Sequence, residues 1–580
     1  MIKKYNARVL IEVVLAFYWC IFMTQSDSYY SPYLLVGIVG ICCLITNINC
    51  EQIRRSKIRV CFIIQIGAVL LSIATVLANY SCFIKILDEQ WGIMKLITSA
   101  ICVSLGGTIL FREILVKISI IKEVTVIDKS NSRQIKWQFV ILGVIMAMVY
   151  ATVLFTSEYP GVLSPDSIWQ MSQLLNHSYT NHHPYYHTQL IHIFISLGYW
   201  LFGDINKAVA VYSIFSIIVM TFCFCYVVAS IYWITNSKKI ALGVYFWYLV
   251  MPFHIIYSFT MWKDVIFGAA VTLFVVGTYR EMLKIKNNIG NLVIIICAAM
   301  GTCLLRSNGW VVFLISAVCF VILFGKKEKT IVVLFVFVLV ISYILKHPVL
   351  QELNVSQPDT IEALSIPTQQ VARVIADGKV LTKEQYKLLN QVVDVDRVAE
   401  NYKSYISDNI KDLVREKNNQ GFIDEHKEEY IKLYIQLGIK YPYKYIEAWV
   451  DQTKGYWNSG YSYWKWYTGI TDNTFGVQRV VFSDQAKQLL EGYLNLWENS
   501  LILQLFLSIG LFVWVIAMVL CRSIFLRNRV SLFNTIPFLA LIFTLMIATP
   551  VYAEFRYAYP LFCGFPFIVI TAFVNRKNEY

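Results

Sequence analysis

Apolar runs of the length needed to cross a hydrocarbon core of about 30 Å recur along most of the 580-residue chain, separated by short polar breaks. They predict spans over 8–24, 33–50, 59–80 and 92–111, then 137–157, 208–234, 240–258, 261–281, 290–305, 310–325 and 330–346. Three more, 499–521, 531–549 and 558–575, close the chain. The breaks divide it into a four-span bundle (1–111), a basic alternating segment (112–136), a transmembrane core (137–346) carrying a loop at 158–206, a polar domain (347–498) and C-terminal helices (499–580). Within the polar domain, Thr382 with Gln385 makes a capping box, and the helical spacing of "EYIKLYIQLGIKYPYKYIEAW" is broken at Pro442.

One apolar segment, His187 to Phe202, could be a span or a helix lying in the outer leaflet. Loop charge decides between them. With Lys3, Lys4 and Arg8 cytoplasmic, Arg54, Arg55, Lys57, Arg59 and the 112–136 segment also fall inside, and Asp166 falls outside. Counting His187–Phe202 as a span would carry Lys238, Lys239, Arg280, Lys284, Lys286, Lys326, Lys327, Lys329, Arg522, Arg527, Arg529, Arg576 and Lys577 to the outer face. Counting it as an amphipathic outer-leaflet helix keeps them all inside. The expected fold is therefore an all-α polytopic membrane protein of about fourteen spans. Both termini are cytoplasmic and 347–498 is a mostly helical extracytoplasmic domain.

Composition agrees with this. The chain is 57% hydrophobic and 15% charged, more apolar than a soluble domain of its size can cover with polar surface. No cleavable-leader pattern precedes Val9–Met23, which reads as a retained span. The net charge of +13 sits in short loops as an orientation signal, not in a nucleic-acid-binding patch. None of the 14 cysteines falls between Lys346 and Asn499, so no disulfide framework or C-x-x-C motif is present.

In that topology the polar clusters left among the apolar runs all face outward: "SPDS" (164–167), "NHHPYYH" (181–187), "WKD" (262–264), "RSNG" (306–309) and "EFRY" (554–557). Ser164 and Pro165 open a helix whose apolar stripe is Ile168, Met171 and Leu175, which places Asp166 in the first turn. The helix dipole there favours the ionised form, suited to a base or a metal ligand, though equally to a plain first-turn charge. Five of the eight histidines fall between His177 and His192. His183 and His187 have the i, i+4 spacing of two metal ligands, but Pro184 opens the helix between them, so anchoring or substrate contact through His182 and His183 is the alternative. Lys263, Arg306 and Arg556 could together hold a phosphate or diphosphate, or each could reach for lipid headgroups. Their neighbours Asp264, Asn308, Glu554 and Tyr557 complete the candidate set. Trp449, Trp457, Trp464 and Trp466 lie among many tyrosines and could stack on sugars or line an interface.

An acid in "PDS" after a transmembrane helix, then "HHPYYHTQLIHIFISLGYWLFG", resembles the first extracytoplasmic loop of GT-C membrane glycosyltransferases. "MWKDVIF", "LRSNGW", "IPTQQVARVIADG", "DQTKGYW" and "EFRYAYPLF" are similar to a bacterial branch of large multipass proteins of that class. The resemblance covers about 137–575 and leaves the first four spans without a counterpart. It implies transfer of a sugar, usually with inversion, from a polyprenyl-phosphate or polyprenyl-diphosphate donor to a cell-envelope glycan, lipid or protein acceptor. Asp166 would be the catalytic base, and Lys263, Arg306 and Arg556 would bind the leaving phosphate. The chain departs from the pattern in Tyr185, where a second Pro is usual, and in a lone Asp166 where many members pair two acids. No cofactor is fixed; a divalent cation is the one candidate. Competing readings are a polysaccharide polymerase, a transporter or flippase of lipid-linked glycans, and a non-catalytic scaffold. A transporter would call for mid-span charges or two repeated halves; few charges lie at mid-span and no second half is found.

Overall fold

The computed structural model describes residues 6–25, 29–49, 61–87, 91–125, 137–283 and 289–575. The regular elements of the described chain are helices but for one two-residue parallel pair, Val124–Thr125 with Val574–Asn575. Among the described residues, six helices are long and apolar enough to cross a membrane: Gly92–Ile120, Trp137–Ser157, Ile205–Thr235, Lys263–Met282, Lys329–Glu352 and Arg529–Ala548. Phe62–Ala78 with Tyr80–Leu87, bent by 57° at the break, makes a seventh if counted as one span. The protein is thus a multi-pass helical membrane protein.

That measure gives fewer spans than the sequence pattern suggests, because several runs fold as short or broken helices. The run at 240–258 becomes Lys238–Val250 and Pro252–Tyr257, since Pro252 cannot donate the hydrogen bond that would continue the first helix. At 499–521 the helix begins only at Ile509, after a 3-10 turn over Leu503–Leu507. The run ending at 111 continues to Ile120, so the 112–136 segment is a membrane-type helix in its first third. Much of the charge behind the expected orientation, namely Lys3, Lys4, Arg54, Arg55, Lys57, Arg59, Lys284, Lys286, Arg576, Lys577 and the segment 126–136, lies outside the described residues.

Lys263–Met282 is the central helix, almost entirely buried against Ile205–Thr235, Ile289–Leu304 and Tyr559–Thr571. At 1.5 Å per residue it holds Lys263 and Arg280 about 26 Å apart along its axis, at opposite ends of the bundle. The N-terminal helices pack Trp19, Tyr33, Phe111 and Leu115 against Trp514 and Met518 of Ile509–Phe525. Above lies the small domain, whose core includes Val374, Val398, Leu413 and Leu437. Thr382 and Gln385 form the expected capping box, and Pro442 separates Lys427–Lys440 from Pro442–Trp457. Residues 458–483 are irregular instead of helical.

The end opposite Lys263 is tied by Arg522, fully buried. Its guanidinium donates to the carbonyls of Ala572, Ile118 and Ile121, and so joins the first bundle to the chain's last helix. Arg522→Met leaves three carbonyls without that donor, at about 1 kcal/mol each. The variant is expected to unfold about 3 kcal/mol more readily in a denaturant titration in detergent; an unchanged midpoint would remove Arg522 from this role.

Candidate functional site

Asp166 enters the site on the helix Pro165–Asn176, whose start is fixed by a capping box between Ser164 and Ser167. The same two hydroxyls are pinned from outside the helix. Trp262 Nε1 donates to Ser164 Oγ at 2.6 Å, and Ser167 Oγ donates to the Met261 carbonyl at 2.8 Å. The residues just before Lys263 therefore fix the first turn that carries Asp166. The expected apolar stripe holds at Ile168 and Met171, but Leu175 is exposed and Leu174 packs inward in its place. The short helix has turned by about one position.

Asp166 faces Arg556, with Nη1 2.6 Å from Oδ2. The Nε edge of the same guanidinium lies 3.1 Å from Glu554 Oε1, and its plane sits over the rings of Trp262 and Tyr557, 5.0 and 5.3 Å from their centroids. Beside this group Arg306 Nη1 meets Asp264 Oδ1 at 3.0 Å and donates to the Tyr557 carbonyl at 3.0 Å. Asp264 is fully buried and its oxygens lie off hydrogen-bond geometry, so Arg306 and the start of its own helix carry its charge. Lys263 Nζ donates to His183 Nδ1 at 2.6 Å. His182, His183 and Trp169 pack ring against ring, with centroids 5.0–5.1 Å apart. Asn308 Nδ2 donates to Thr544 Oγ1 at 2.7 Å.

Most of these side chains line one cavity of about 1520 Å³. Asp166, His182, His183, Lys263, Arg306, Asn308, Arg556 and Tyr557 form its floor on the helix ends; Asp264 and Glu554 stand directly behind them, paired to the two arginines. Asp359, Glu362, Asp408, Asp412 and Arg415 of the small domain form the roof. Arg415 pairs there with Asp359, Glu362 and Asp412. All ten sequence-derived candidates thus meet at one end of the bundle.

The charges shape one another. Burial disfavours the ionised form of Asp166, but the Arg556 guanidinium, with Lys263 beside it, outweighs it and holds the carboxyl well below the usual range. Burial, with the Lys263 ammonium beside it, pushes His183 down to about 2, so its ring is neutral. Glu554 goes the other way. Burial, with Asp264 and Asp166 nearby, outweighs Arg556 and Arg306 and pushes it up to about 7. Asp166 is therefore not the isolated acid that its sequence context suggests: Arg556 couples it to a second carboxyl of much higher pKa.

The two-histidine metal pair does not form. His183 turns to Lys263, whereas His187 is buried between Gln170 Oε1 at 3.1 Å and Tyr212 Oη at 3.0 Å. No group of three His, Cys, Asp or Glu suited to a metal occurs among the described residues, and Asp166, Asp264 and Glu554 are each committed to an arginine. The donor set does not fit a divalent cation.

Sequence reasoning missed the support for the loop. Glu158, buried at its first position, pairs with Arg479 Nη2 at 2.5 Å and accepts from the Gly469 amide at 2.8 Å. Leu163 donates its backbone N–H to the Gly469 carbonyl and accepts from the Thr471 N–H, both in the irregular stretch 458–483. Trp262 was readable beside Lys263 in "MWKD"; a lone Arg479 in aperiodic sequence gives no local signal.

Glu554 generates a signed expectation. Between the ordinary carboxylate value of 4.5 and about 7, the folded state keeps a proton that the unfolded chain has released, so the stability it contributes falls as pH rises through that window. Glutamine does not titrate. The melting temperature of Glu554→Gln relative to wild type is expected to rise between about pH 5 and about pH 8; a flat difference would contradict the raised value.

Comparison with known proteins places most of this site in one family. The model of a family of unknown function, DUF6020, matches residues 174–580, a stretch that includes every candidate except Asp166. No curated protein matches the chain, and no solved structure does. Since the matched region takes in well over half of the sequence, the chain belongs to the DUF6020 family, whose function is unknown.

Proposed function

We propose that the protein is a membrane glycosyltransferase of GT-C type. It moves a sugar from a polyprenyl-phosphate-linked donor to a cell-envelope glycan, lipid or protein at the outer face of the cell membrane. The observation that carries this reading is the meeting of one acid, Asp166, with three cations, Lys263, Arg306 and Arg556, around one cavity at the end of an apolar bundle. A lipid-linked sugar is the substrate such a place suits, because its tail stays in the bilayer while its phosphate and sugar stand at the surface. In this reading the six or seven long helices and the shorter apolar ones together make about fourteen crossings, with both termini cytoplasmic and 347–498 outside.

The chemistry follows from the charges. The acceptor hydroxyl oxygen bonds to the anomeric carbon as the bond from that carbon to the donor's phosphate oxygen breaks, its electron pair leaving with the phosphate. The hydroxyl proton passes to Asp166. Lys263 and Arg306 stabilise the charge that develops on the leaving phosphate, and inversion results because the attack opposes the departing group.

Two measurements test this. Purified protein in lipid, supplied with radiolabelled polyprenyl-phosphate hexoses and a crude cell-envelope extract, is expected to transfer label, and Asp166→Asn to lose about 10²–10⁴-fold of the rate. Equal rates would reduce Asp166 to a helix-start charge. For topology, Asn176→Cys, exposed at the end of its helix, is expected to react with an impermeant thiol reagent in intact cells. Labelling only after lysis would place the site on the wrong side for this donor.

A further inference from the structure

A general base must be basic, and at rest Asp166 is not. Its Oδ2 lies 2.6 Å from Arg556 Nη1, and a carboxylate held by a guanidinium at that distance is a poor proton acceptor. The other two cations are engaged differently. Arg306 is paired to Asp264, and Lys263, whose charge also acts on Asp166, donates its hydrogen bond to His183 and not to the acid. Arg556 is the cation paired directly with the base, and it lines the same cavity as Lys263 and Arg306. It also has a second hold: Glu554 Oε1 lies 3.1 Å from Nε as an ion pair off hydrogen-bond geometry, and the guanidinium carbon lies over the rings of Trp262 and Tyr557. A group gripped at Nε by one acid and at Nη by another can exchange the Nη partner without leaving its seat.

We infer that Arg556 is shared in turn between Asp166 and the phosphate of the donor, with Glu554 as the fixed hold, so that binding of a phosphate-headed lipid releases the base. This rests on the function proposed above. Phosphate oxygens match the guanidinium fork better than the single contact made by Asp166, and Lys263 and Arg306 border the same cavity to receive the rest of the charge. Asp166 becomes a competent base only when a donor is in place, and the donor therefore binds productively before the acceptor. An enzyme built this way does not spend its base on water in the absence of donor.

Competition for one arginine is reciprocal, which gives an outcome contrary to ordinary loss of a catalytic residue. Removing the Asp166 charge frees Arg556, so the variant that cannot catalyse binds phosphate more tightly. The probe is farnesyl phosphate, with farnesol as its phosphate-free control, bound to the full-length protein in nanodiscs. Asp166→Asn is expected to tighten farnesyl phosphate about 3–10-fold, of the order that one exchanged charge contact brings, with farnesol unchanged; Asp166→Ala serves as a second variant. In an Arg556→Gln background the same substitution is expected to change affinity less than 2-fold, because the shared group is gone. Tightening that persists in that background would be simple removal of a negative charge and would overturn the exchange. Phosphate-dependent binding by wild type with no tightening in either variant would overturn it too, while leaving the donor class standing. Wild type that binds farnesol as well as farnesyl phosphate would remove the donor reading and the exchange together.

Discussion

The pair between Asp166 and Arg556 joins residues 390 positions apart, and the arrangement of the helix ends can be traced from it. Partly buried ions of opposite sign are tolerated only where their remaining hydrogen-bonding capacity and their surroundings are arranged around them. Here that arrangement is extensive. Trp262 lies beneath the guanidinium and donates to Ser164, so one indole fixes both the arginine and the helix that carries the acid. Behind the loop, Glu158 and Arg479 anchor it to the irregular stretch 458–483. That stretch is itself held to the first bundle where the Tyr461 hydroxyl donates to the Ala78 carbonyl and Asn79 Oδ1.

The first bundle and the small domain have a physical role in this scheme without touching the acid. The Tyr33 hydroxyl donates to the Ser459 carbonyl, and Tyr80 donates to Asp451; Asp451 is in turn bonded to Arg373 of the small domain. The domain is thereby held over the cavity, with the ion-paired group around Arg415 facing the helix ends. The family match begins at residue 174, past Asp166. The acid and the N-terminal helix bundle both lie outside the matched part, whereas the cations, His182, His183 and the whole roof lie within it.

Local features were readable from the sequence because their causes are local. The start at Ser164, the capping box at Thr382 and the break at Pro442 depend on residues within one turn of each other. The gathering of five polar clusters could be read for a related reason: each interrupts an apolar run, and alternate ends of successive spans must share a face. Features that depend on distant partners were hidden. Nothing near Arg556 says that its charge is spent on Asp166, and nothing near His187 says that Gln170 and Tyr212 enclose it. Helix ends were misplaced where hydropathy carries on past the hydrogen bonding, as at 499–509, or stops short of it, as at 111–120.

The most direct test is an experimental structure of the protein in a lipid nanodisc with a polyprenyl phosphate bound. The phosphate is expected beside Lys263, Arg306 and Arg556, with the Arg556 guanidinium drawn away from Asp166 and still in contact with Glu554. A phosphate bound elsewhere on the protein, or one seated in the cavity with the Asp166–Arg556 pair intact, would contradict the central role given to that pair.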